Sequence, residues 1–467
     1  MKMFALPALL LASALPAAAS AADLPRKAGL GVSLDQKAGG GGAVVSQVLP
    51  GLTAEALGVR AGDAIVSAGG KPIEGASGLV DYAATLKGGD PVELVVRRAG
   101  KERRIRGKAL PRPLERYEGA RADYGAVPFR GGLLRDILVA PDGVSDAPVV
   151  FLIQGFSCAT IEPNNAAHPY RRLGEELVAR GIGYYRVEKP GLGDSAGTPQ
   201  CSEIDFATEL DAFRSAYRHL VEARGVDPDR IFMFGHSLGG LEAPLLAAEQ
   251  APRGVAAYGT VLKNWADYHQ DLSAIQDYLT TGTDVGAAAA AADANRDIIR
   301  RFYFAREAPA AIAASAPKFD APMRELLGWN GGTRTFGRDY RFMQDLAYQP
   351  IAAAWRKAKT NVLALYGESD VVALVDTDHR LIADIANWYR PGSGRYVEVP
   401  GTGHGMDKVG TRFELRERNA AGQDAPGEFN PAVAEVLAGW IRDSMARPPV
   451  RTLAERTRPA PPAPAGG

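Results

Sequence analysis

The sequence holds little cysteine and has no charge imbalance. Only two cysteines, Cys158 and Cys201, occur among 467 residues, which excludes a disulfide-rich scaffold. Lys plus Arg equals Asp plus Glu at 54 each, so the composition lacks the positive excess of a nucleic-acid binder. We interpret the basic stretch around Ile105 as the solvated face of a hairpin, formed by Arg97, Arg98, Lys101, Arg103, Arg104 and Arg106.

Long uncharged apolar runs are missing beyond the first residues. The N-terminus has Lys2, an apolar run from Phe4 to Leu15, and small residues ending in Ser20, Ala21 and Ala22. This order is typical of a signal peptide, and the run is shorter than the roughly 20 residues that a membrane span needs. We therefore expect residues 1–22 to be cleaved and the mature protein to be soluble, periplasmic or secreted. The alternative is an uncleaved anchor.

Residues 28–110 contain short β-type segments separated by glycine-rich turns: Gly31 to Leu34, Ala43 to Val48, Ala64 to Ser67 and Val92 to Arg97. The stretch from Ala54 to Ile65, with Gly58 and Gly62, resembles the PDZ domains of bacterial envelope proteases. The resemblance implies a loop whose free backbone N–H groups capture a peptide C-terminus, formed by Gly29, Leu30, Gly31 and Val32. The alternative is a small β-domain with a blocked groove.

A second domain is predicted at 119–446, after a linker at 111–118 that Pro111 and Pro113 begin. In this domain apolar strands alternate with helical stretches, which indicates an α/β fold with a mostly parallel sheet. Between about 262 and 359 the strand pattern lapses, so we expect a helical lid there. The proline-rich tail, 447–467, is predicted to be disordered.

Ser237 follows a β-type run and precedes a helical stretch, in the segment Gly235-His-Ser-Leu-Gly239. This pattern predicts a nucleophile elbow, a strand-to-helix turn so sharp that only small residues fit beside the serine. A second Gly-x-Ser-x-Gly segment surrounds Ser195. There Pro190 and Pro199 remove the strand and the helix that an elbow needs. Ser237 is therefore the predicted nucleophile.

A serine hydroxyl is a weak nucleophile until a base removes its proton. Among six histidines, His404 lies in a glycine-rich loop after the last strand, from which it can reach Ser237. Asp370 follows a strand by a short turn and lies between serine and histidine in the chain, as the acid should. Glu368 in the same turn is the alternative acid. A structural role also stays open for each, as a hydrogen-bonded histidine or a helix-capping aspartate.

These residues resemble the α/β-hydrolase superfamily, over about 119–446, and the sequence around Ser237 is similar to its lysophospholipase, monoacylglycerol-lipase and serine-aminopeptidase branch. The resemblance implies a mostly parallel eight-stranded sheet with a helical lid. It also implies an oxyanion hole made by the backbone N–H groups of Phe156 and Leu238. Where the family has His-Gly after its third strand, this chain has Gln154-Gly155. The family's strand order brings two loops together, so we expect a disulfide between Cys158 and Cys201 in an oxidising compartment.

The predicted function is a serine hydrolase that cleaves a small carboxylic ester through an acyl-enzyme, without a metal or cofactor. The nearest alternative is a peptidase for short peptides, because the same triad cleaves amides. A non-catalytic envelope adaptor that works through the PDZ groove is the alternative from another class, and the intact triad argues against it. Acyl transfer to an acceptor other than water also stays open.

Overall fold

The computed structural model describes residues 24–35, 41–163, 165–423 and 427–452. The predicted signal peptide lies outside these residues, as does most of the predicted tail. Of that tail, Val450–Thr452 forms a 3-10 turn in which Val450 is buried. Throughout the described part of the chain, no helix combines the length and the apolar character that crossing a bilayer demands.

The N-terminal unit is a six-stranded antiparallel sheet with two helices. Its strands are β1 (Val32–Leu34), β2 (Ala43–Val48), β3 (Ala64–Ala68), β4 (Lys71–Pro72), β5 (Pro91–Arg98) and β6 (Lys101–Lys108), and its helices are α1 (Thr53–Ala56) and α2 (Ala76–Thr85). The order β1-β2-β3-β5-β6, with β4 paired to β3, leaves β1 at an edge. Strand β6 exposes every residue except Ile105, in agreement with the predicted solvated basic face. Arg98 departs from that prediction, because it is partly buried and pairs with buried Asp63 at 2.6 Å.

The second unit is built on an eight-stranded sheet of order β16-β15-β12-β11-β9-β10-β8-β7. Its strands are β7 (Ala120–Phe129), β8 (Gly132–Pro141), β9 (Val149–Ile153), β10 (Gly183–Val187), β11 (Ile231–His236), β12 (Gly254–Tyr258), β15 (Asn361–Gly367) and β16 (Gly394–Val399). Only the pairs β7–β8 and β8–β10 are antiparallel. This is the α/β-hydrolase fold that the sequence predicts.

Helices cover both faces of this sheet, which is why β9 to β12 and β15 are buried at every position. Alternate residues of β9 belong to different cores: Phe151 packs with α-helical residues such as Phe213, and Val150 packs with Leu437. The helices of this unit are α3 (Pro169–Val178), α4 (Phe206–Glu222), α5 (Gly239–Glu249), α6 (Trp265–Asp271), α7 (Asp277–Thr281), α8 (Val285–Ile299), α9 (Pro309–Ser315), α10 (Asp320–Leu327), α11 (Tyr340–Leu346), α12 (Ile351–Lys357), α13 (Thr377–Tyr389), α14 (Arg412–Ala420) and α15 (Pro431–Met445).

Helices α6 to α12 lie in the segment 262–359, between strands β12 and β15. Two π-helical segments, Leu272–Gln276 and Arg300–Phe304, interrupt this helical region. It also contains a small hairpin of β13 (Arg334–Thr335) and β14 (Arg338–Asp339). This hairpin is not predicted from the sequence, since two-residue strands are too short to show a hydrophobic period.

The two units are held together by charged residues at the ends of the PDZ-like region. Arg26 forms ion pairs with the buried carboxylates of Glu162 and Asp194, at 2.5 and 2.7 Å. At the other end, Arg112 Nη1 donates to the carbonyl oxygen of Glu162 at 3.2 Å. The loop that precedes β1 therefore lies against loops of the second unit.

Candidate active site

Ser237 lies at a sharp turn between β11 and α5. Its φ is +54°, a conformation that residues other than glycine rarely adopt. A Cβ on Gly235 would lie 2.3 Å from the carbonyl oxygen of Gly239, and a Cβ on Gly239 would lie 2.0 Å from that of Ile153. Only glycine fits on either side of this turn, as a nucleophile elbow requires. Helix α5 begins directly after it, so partial positive charge faces the Ser237 region.

Asp370 and His404 form a hydrogen-bonded pair, with His404 Nδ1 at 3.0 and 2.9 Å from the two carboxylate oxygens. Asp370 is fully buried, and its Oδ1 also accepts from the amides of Val372 and Ala373. Burial alone would raise the pKa of Asp370, but His404 and these amides outweigh burial and lower it. Burial would lower the pKa of His404, and the Asp370 charge and hydrogen bond raise it instead. The carboxylate thus fixes the proton on Nδ1 and leaves Nε2 as the basic nitrogen.

Two glycines show how closely these groups approach one another. At Gly259, where φ is +60°, a Cβ would lie 2.7 Å from Asp370 Oδ2 and 3.0 Å from His404 Nδ1. At Gly155, a Cβ would lie 3.1 Å from Ser237 Cβ. Within the described residues no hydrogen bond joins Ser237 Oγ to His404, and such bonds are often long in a ligand-free site.

His236 and Tyr170 connect the loop of His404 to the loop of Gly155. Neither residue was predicted from the sequence to have a role in the site. His236 Nε2 lies 2.8 Å from the carbonyl oxygen of His404, which can only accept, so Nε2 carries the proton. Burial lowers the pKa of His236 to about 3, with a further contribution from His404, and the ring is neutral. Its Nδ1 therefore accepts from the Tyr170 hydroxyl at 2.7 Å. The Tyr170 oxygen in turn accepts from the amide of Gly155 at 3.2 Å.

The predicted oxyanion-hole residues flank Ser237. Leu238 is buried at the N-terminus of α5, and Phe156 follows Gly155 in the loop after β9. Neither amide nitrogen donates to an acceptor anywhere in the described part of the chain. Both amides are therefore available to a bound oxygen atom.

The alternative residues Ser195 and Glu368 are engaged elsewhere. Ser195 Oγ is almost buried and accepts from the amide of Arg135 at 3.1 Å. Glu368 Oε2 accepts from the amide of Gly401 at 2.8 Å. Among the described residues, no group of three or more His, Cys, Asp and Glu side chains could hold a metal ion.

A disulfide joins Cys158 and Cys201, as the sequence predicts. Cys158 follows β9 and Cys201 begins a 3-10 turn after β10, and these two strands are neighbours in the sheet. Phe156 lies two residues before Cys158. The disulfide therefore restrains the loop that carries a predicted oxyanion donor.

The loop predicted to bind a peptide C-terminus, Gly29 to Val32, leads into β1 at the edge of the N-terminal sheet. The amides of Leu30 and Gly31 donate to no acceptor in the part of the chain that the structure describes. Gly31 has φ +78°, and a Cβ there would collide with Leu52 at 2.4 Å. The loop borders a cavity of about 380 Å³ whose other wall comes from the linker residue Arg112 and from the second unit, at Cys158, Thr160, Gly191, Leu192 and Gly193.

Two family models match the chain: PDZ domain at residues 28–108 and Serine aminopeptidase, S33, at residues 164–387. Comparison with curated proteins gave no match. Among solved structures, Est1E from Butyrivibrio proteoclasticus is 16% identical over 70% of this chain and 100% of its own, with a TM-score of 0.43. A thermostable carboxyl esterase from Bacillus coagulans is 14% identical over 69% of this chain and 99% of its own, with a TM-score of 0.41.

A soluble variant of monoglyceride lipase from Saccharomyces cerevisiae is also similar, at 14% identity over 68% of this chain and 94% of its own, with a TM-score of 0.41. The strand order of the second unit and the two family matches agree with the sequence analysis. The chain therefore has a region that matches the PDZ domain model at residues 28–108, followed by a unit with the α/β-hydrolase fold that matches the S33 serine aminopeptidase model at residues 164–387.

Proposed function

We propose that the second domain is a serine hydrolase that cleaves carboxylic esters through an acyl-enzyme. The observation that carries the proposal is the pair formed by buried Asp370 and partly exposed His404, beside a strained serine turn at Ser237. An ionised carboxylate on Nδ1 is the arrangement that makes an imidazole a general base for a neighbouring hydroxyl.

In this mechanism His404 Nε2 takes the proton of Ser237 as Oγ attacks the ester carbonyl carbon. Asp370 stabilises the imidazolium that forms. The amides of Phe156 and Leu238 donate to the oxyanion of the tetrahedral intermediate. His404 then gives its proton to the leaving alcohol, the acyl-enzyme forms, and a water molecule repeats the sequence to release the carboxylic acid and restore Ser237.

The two carboxylates in the cluster behind the oxyanion loop give no binding site for the free amino terminus of a peptide. An aminopeptidase needs an accessible anion for the substrate ammonium group. Glu209 is fully buried and paired with Lys189 and Arg338. Glu242 is also fully buried, and burial, followed by repulsion from Glu209, raises its pKa well above the ordinary range. Neither carboxylate is available to a substrate cation.

The test is hydrolysis of p-nitrophenyl esters of graded acyl length beside aminoacyl p-nitroanilides, each with a free and an N-acetylated amine. We expect turnover of the esters, loss of this turnover in Ser237→Ala, and no preference for the free amine. Faster cleavage of anilides that depends on the free amine would instead assign a peptidase.

We infer a second function for the PDZ domain, the binding of a peptide C-terminus by the loop of Gly29, Leu30, Gly31 and Val32. The cavity beside this loop supports it, because Arg112 supplies positive charge there and its buried Nε has no hydrogen-bond partner among the described residues. Peptides with free C-termini should bind more tightly than amidated ones, and Arg112→Gln should weaken binding where the exposed Arg103→Gln does not. Equal affinity for both peptide forms would contradict this function.

Export to the periplasm or the cell exterior completes the proposal. The Cys158–Cys201 disulfide supports it, since disulfides persist in oxidising compartments. Fractionation of cells, with N-terminal sequencing of the mature protein, tests it. A cytosolic protein that begins at Met1 would contradict export.

A further inference from the structure

Four ionisable side chains are buried behind the oxyanion loop, and the mechanism above uses none of them. Lys189, Glu209, Glu242 and Arg338 are each at most 1% exposed. Lys189 Nζ lies 2.8 Å from Glu209, and Arg338 Nη2 lies 2.5 Å from the same carboxylate. Burying ion pairs costs desolvation free energy that is often not recovered in stability. A cluster of this kind next to a candidate active site therefore calls for a functional explanation.

The cluster combines two basic and two acidic side chains. Burial alone would raise the pKa of Glu209, but Lys189 and Arg338 outweigh burial and lower it. Burial, followed by repulsion from Glu209, raises the pKa of Glu242, and neither of its oxygens has a hydrogen-bond partner among the described residues. Burial lowers the pKa of Lys189, although the charge of Glu209 acts against burial.

Both cations donate to the loop that carries Phe156. Lys189 Nζ lies 2.5 Å from the carbonyl oxygen of Gly155, and Arg338 Nη1 lies 3.1 Å from that of Phe156. The amide of Gly155 is held by Tyr170. Three consecutive peptide groups are therefore fixed by side-chain hydrogen bonds.

The geometry of the peptide group links Lys189 to the Phe156 amide. In a trans peptide the C=O of one residue and the N–H of the next point in opposite directions. With the Gly155 oxygen held toward Lys189, the Phe156 N–H must point away from the cluster. A Cβ on Gly155 would lie 3.1 Å from Ser237 Cβ, so this peptide group borders the proposed nucleophile.

We propose that Lys189 is a positioning residue that aims the Phe156 N–H at the substrate oxyanion, with Arg338 fixing the next carbonyl group. The proposal rests on the function proposed above. Arg338 lies in the lid segment at β14, so the lid contributes directly to the shape of the oxyanion loop.

The test is Lys189→Met, which removes the ammonium group and keeps a side chain of similar length. We expect kcat for a p-nitrophenyl ester to fall about ten- to a hundredfold, less than when an oxyanion donor is deleted outright. KM should change less than about threefold, because the amide acts mainly in the transition state. Affinity for a boronic-acid transition-state analogue should fall in parallel with kcat/KM, a change that a merely structural lysine would not produce.

A second variant separates positioning from folding. Lys189→Met leaves Glu209 with one cation fewer, so the double variant Lys189→Met/Glu209→Gln removes the buried anion as well. It should show the same loss of kcat and of analogue affinity. Lys263→Met is the matched control, because this partly buried lysine pairs with Asp271 away from the oxyanion loop, and it should keep wild-type kcat.

The outcomes distinguish the two proposals. An active wild type with unchanged kcat and analogue affinity in a folded Lys189 variant overturns the positioning role alone. A wild type without esterase activity overturns the proposed function and the positioning role with it.

Discussion

The ring of His236 donates to the carbonyl oxygen of His404 at 2.8 Å, so the residue before the proposed nucleophile holds the loop that carries the proposed base. Through Tyr170 the same ring is connected to the amide of Gly155, next to the oxyanion donor Phe156. The nucleophile, the base and the oxyanion loop are therefore joined behind the site by one set of hydrogen bonds. In this set the donor and the acceptor of each bond are fixed by the chemistry of the two groups.

Tyr170→Phe tests this connection, because it removes only the hydroxyl that accepts from the amide of Gly155 and donates to His236. We expect kcat/KM for an ester to fall about tenfold, the effect of roughly one hydrogen bond. Tyr217→Phe is the matched control, since its buried hydroxyl has no hydrogen-bond partner among the described residues. Equal kinetics for the two variants would show that the Tyr170 hydroxyl has no role in the site.

Gly259→Ala should disrupt the Asp370–His404 pair directly. The added Cβ would lie 2.7 Å from Asp370 Oδ2 and 3.0 Å from His404 Nδ1, so both groups must move. Gly225→Ala introduces similar strain, at φ +69°, with nothing within 4 Å. Gly225→Ala should lose about 1–2 kcal/mol of unfolding free energy and Gly259→Ala at least as much, but only Gly259→Ala should lose activity by a hundredfold or more. Chemical denaturation and ester hydrolysis together decide this.

The pH profile of kcat/KM should report His404. The base must be neutral, so activity should rise with pH, and because Asp370 raises the pKa of His404 the midpoint should lie above the ordinary value of 6.5. In Asp370→Asn only the charge of Asp407 would still oppose burial, so we expect the midpoint to move to lower pH and the rate to fall about 10⁴-fold. A midpoint that Asp370→Asn does not move would contradict the pairing.

Reduction of the Cys158–Cys201 disulfide should weaken both folding and turnover. The bond closes a sequence separation of 43 residues, for which the loop-entropy model gives about 4 kcal/mol as an upper value. Turnover should fall because the bond restrains the loop of Phe156. Thermal unfolding and ester hydrolysis with and without reductant measure the two effects, and the double variant Cys158→Ser/Cys201→Ser serves as the control for the reductant itself. Unchanged turnover in the reduced protein would show that the disulfide does not affect the active site.

Local patterns in the sequence were enough to predict the elements that depend on periodicity and steric demand. The apolar strands β9 to β12 and the turn at Ser237 belong to this class, because a buried strand and a glycine-flanked serine are visible within about ten residues. The disulfide needed the family's strand order as well, since its cysteines meet only when β9 and β10 become neighbours.

The supporting residues could not be predicted, because their partners lie far away in the chain. Arg338 meets the carbonyl oxygen of Phe156 across 182 residues, and Tyr170 meets His236 across 66. Lys189 precedes a proline and looks like the start of a loop. Only the folded sheet shows that its ammonium group reaches Gly155. No local periodicity encodes contacts of this kind.

The most direct test of the proposed triad is active-site labelling with a fluorophosphonate, followed by mass spectrometry of the labelled peptide. Only a serine activated by a neighbouring base reacts quickly with this reagent. We predict that the label is found on Ser237, that Ser237→Ala abolishes labelling, and that Ser195→Ala leaves it intact. Labelling that persists in Ser237→Ala would contradict the assignment of Ser237 as the nucleophile.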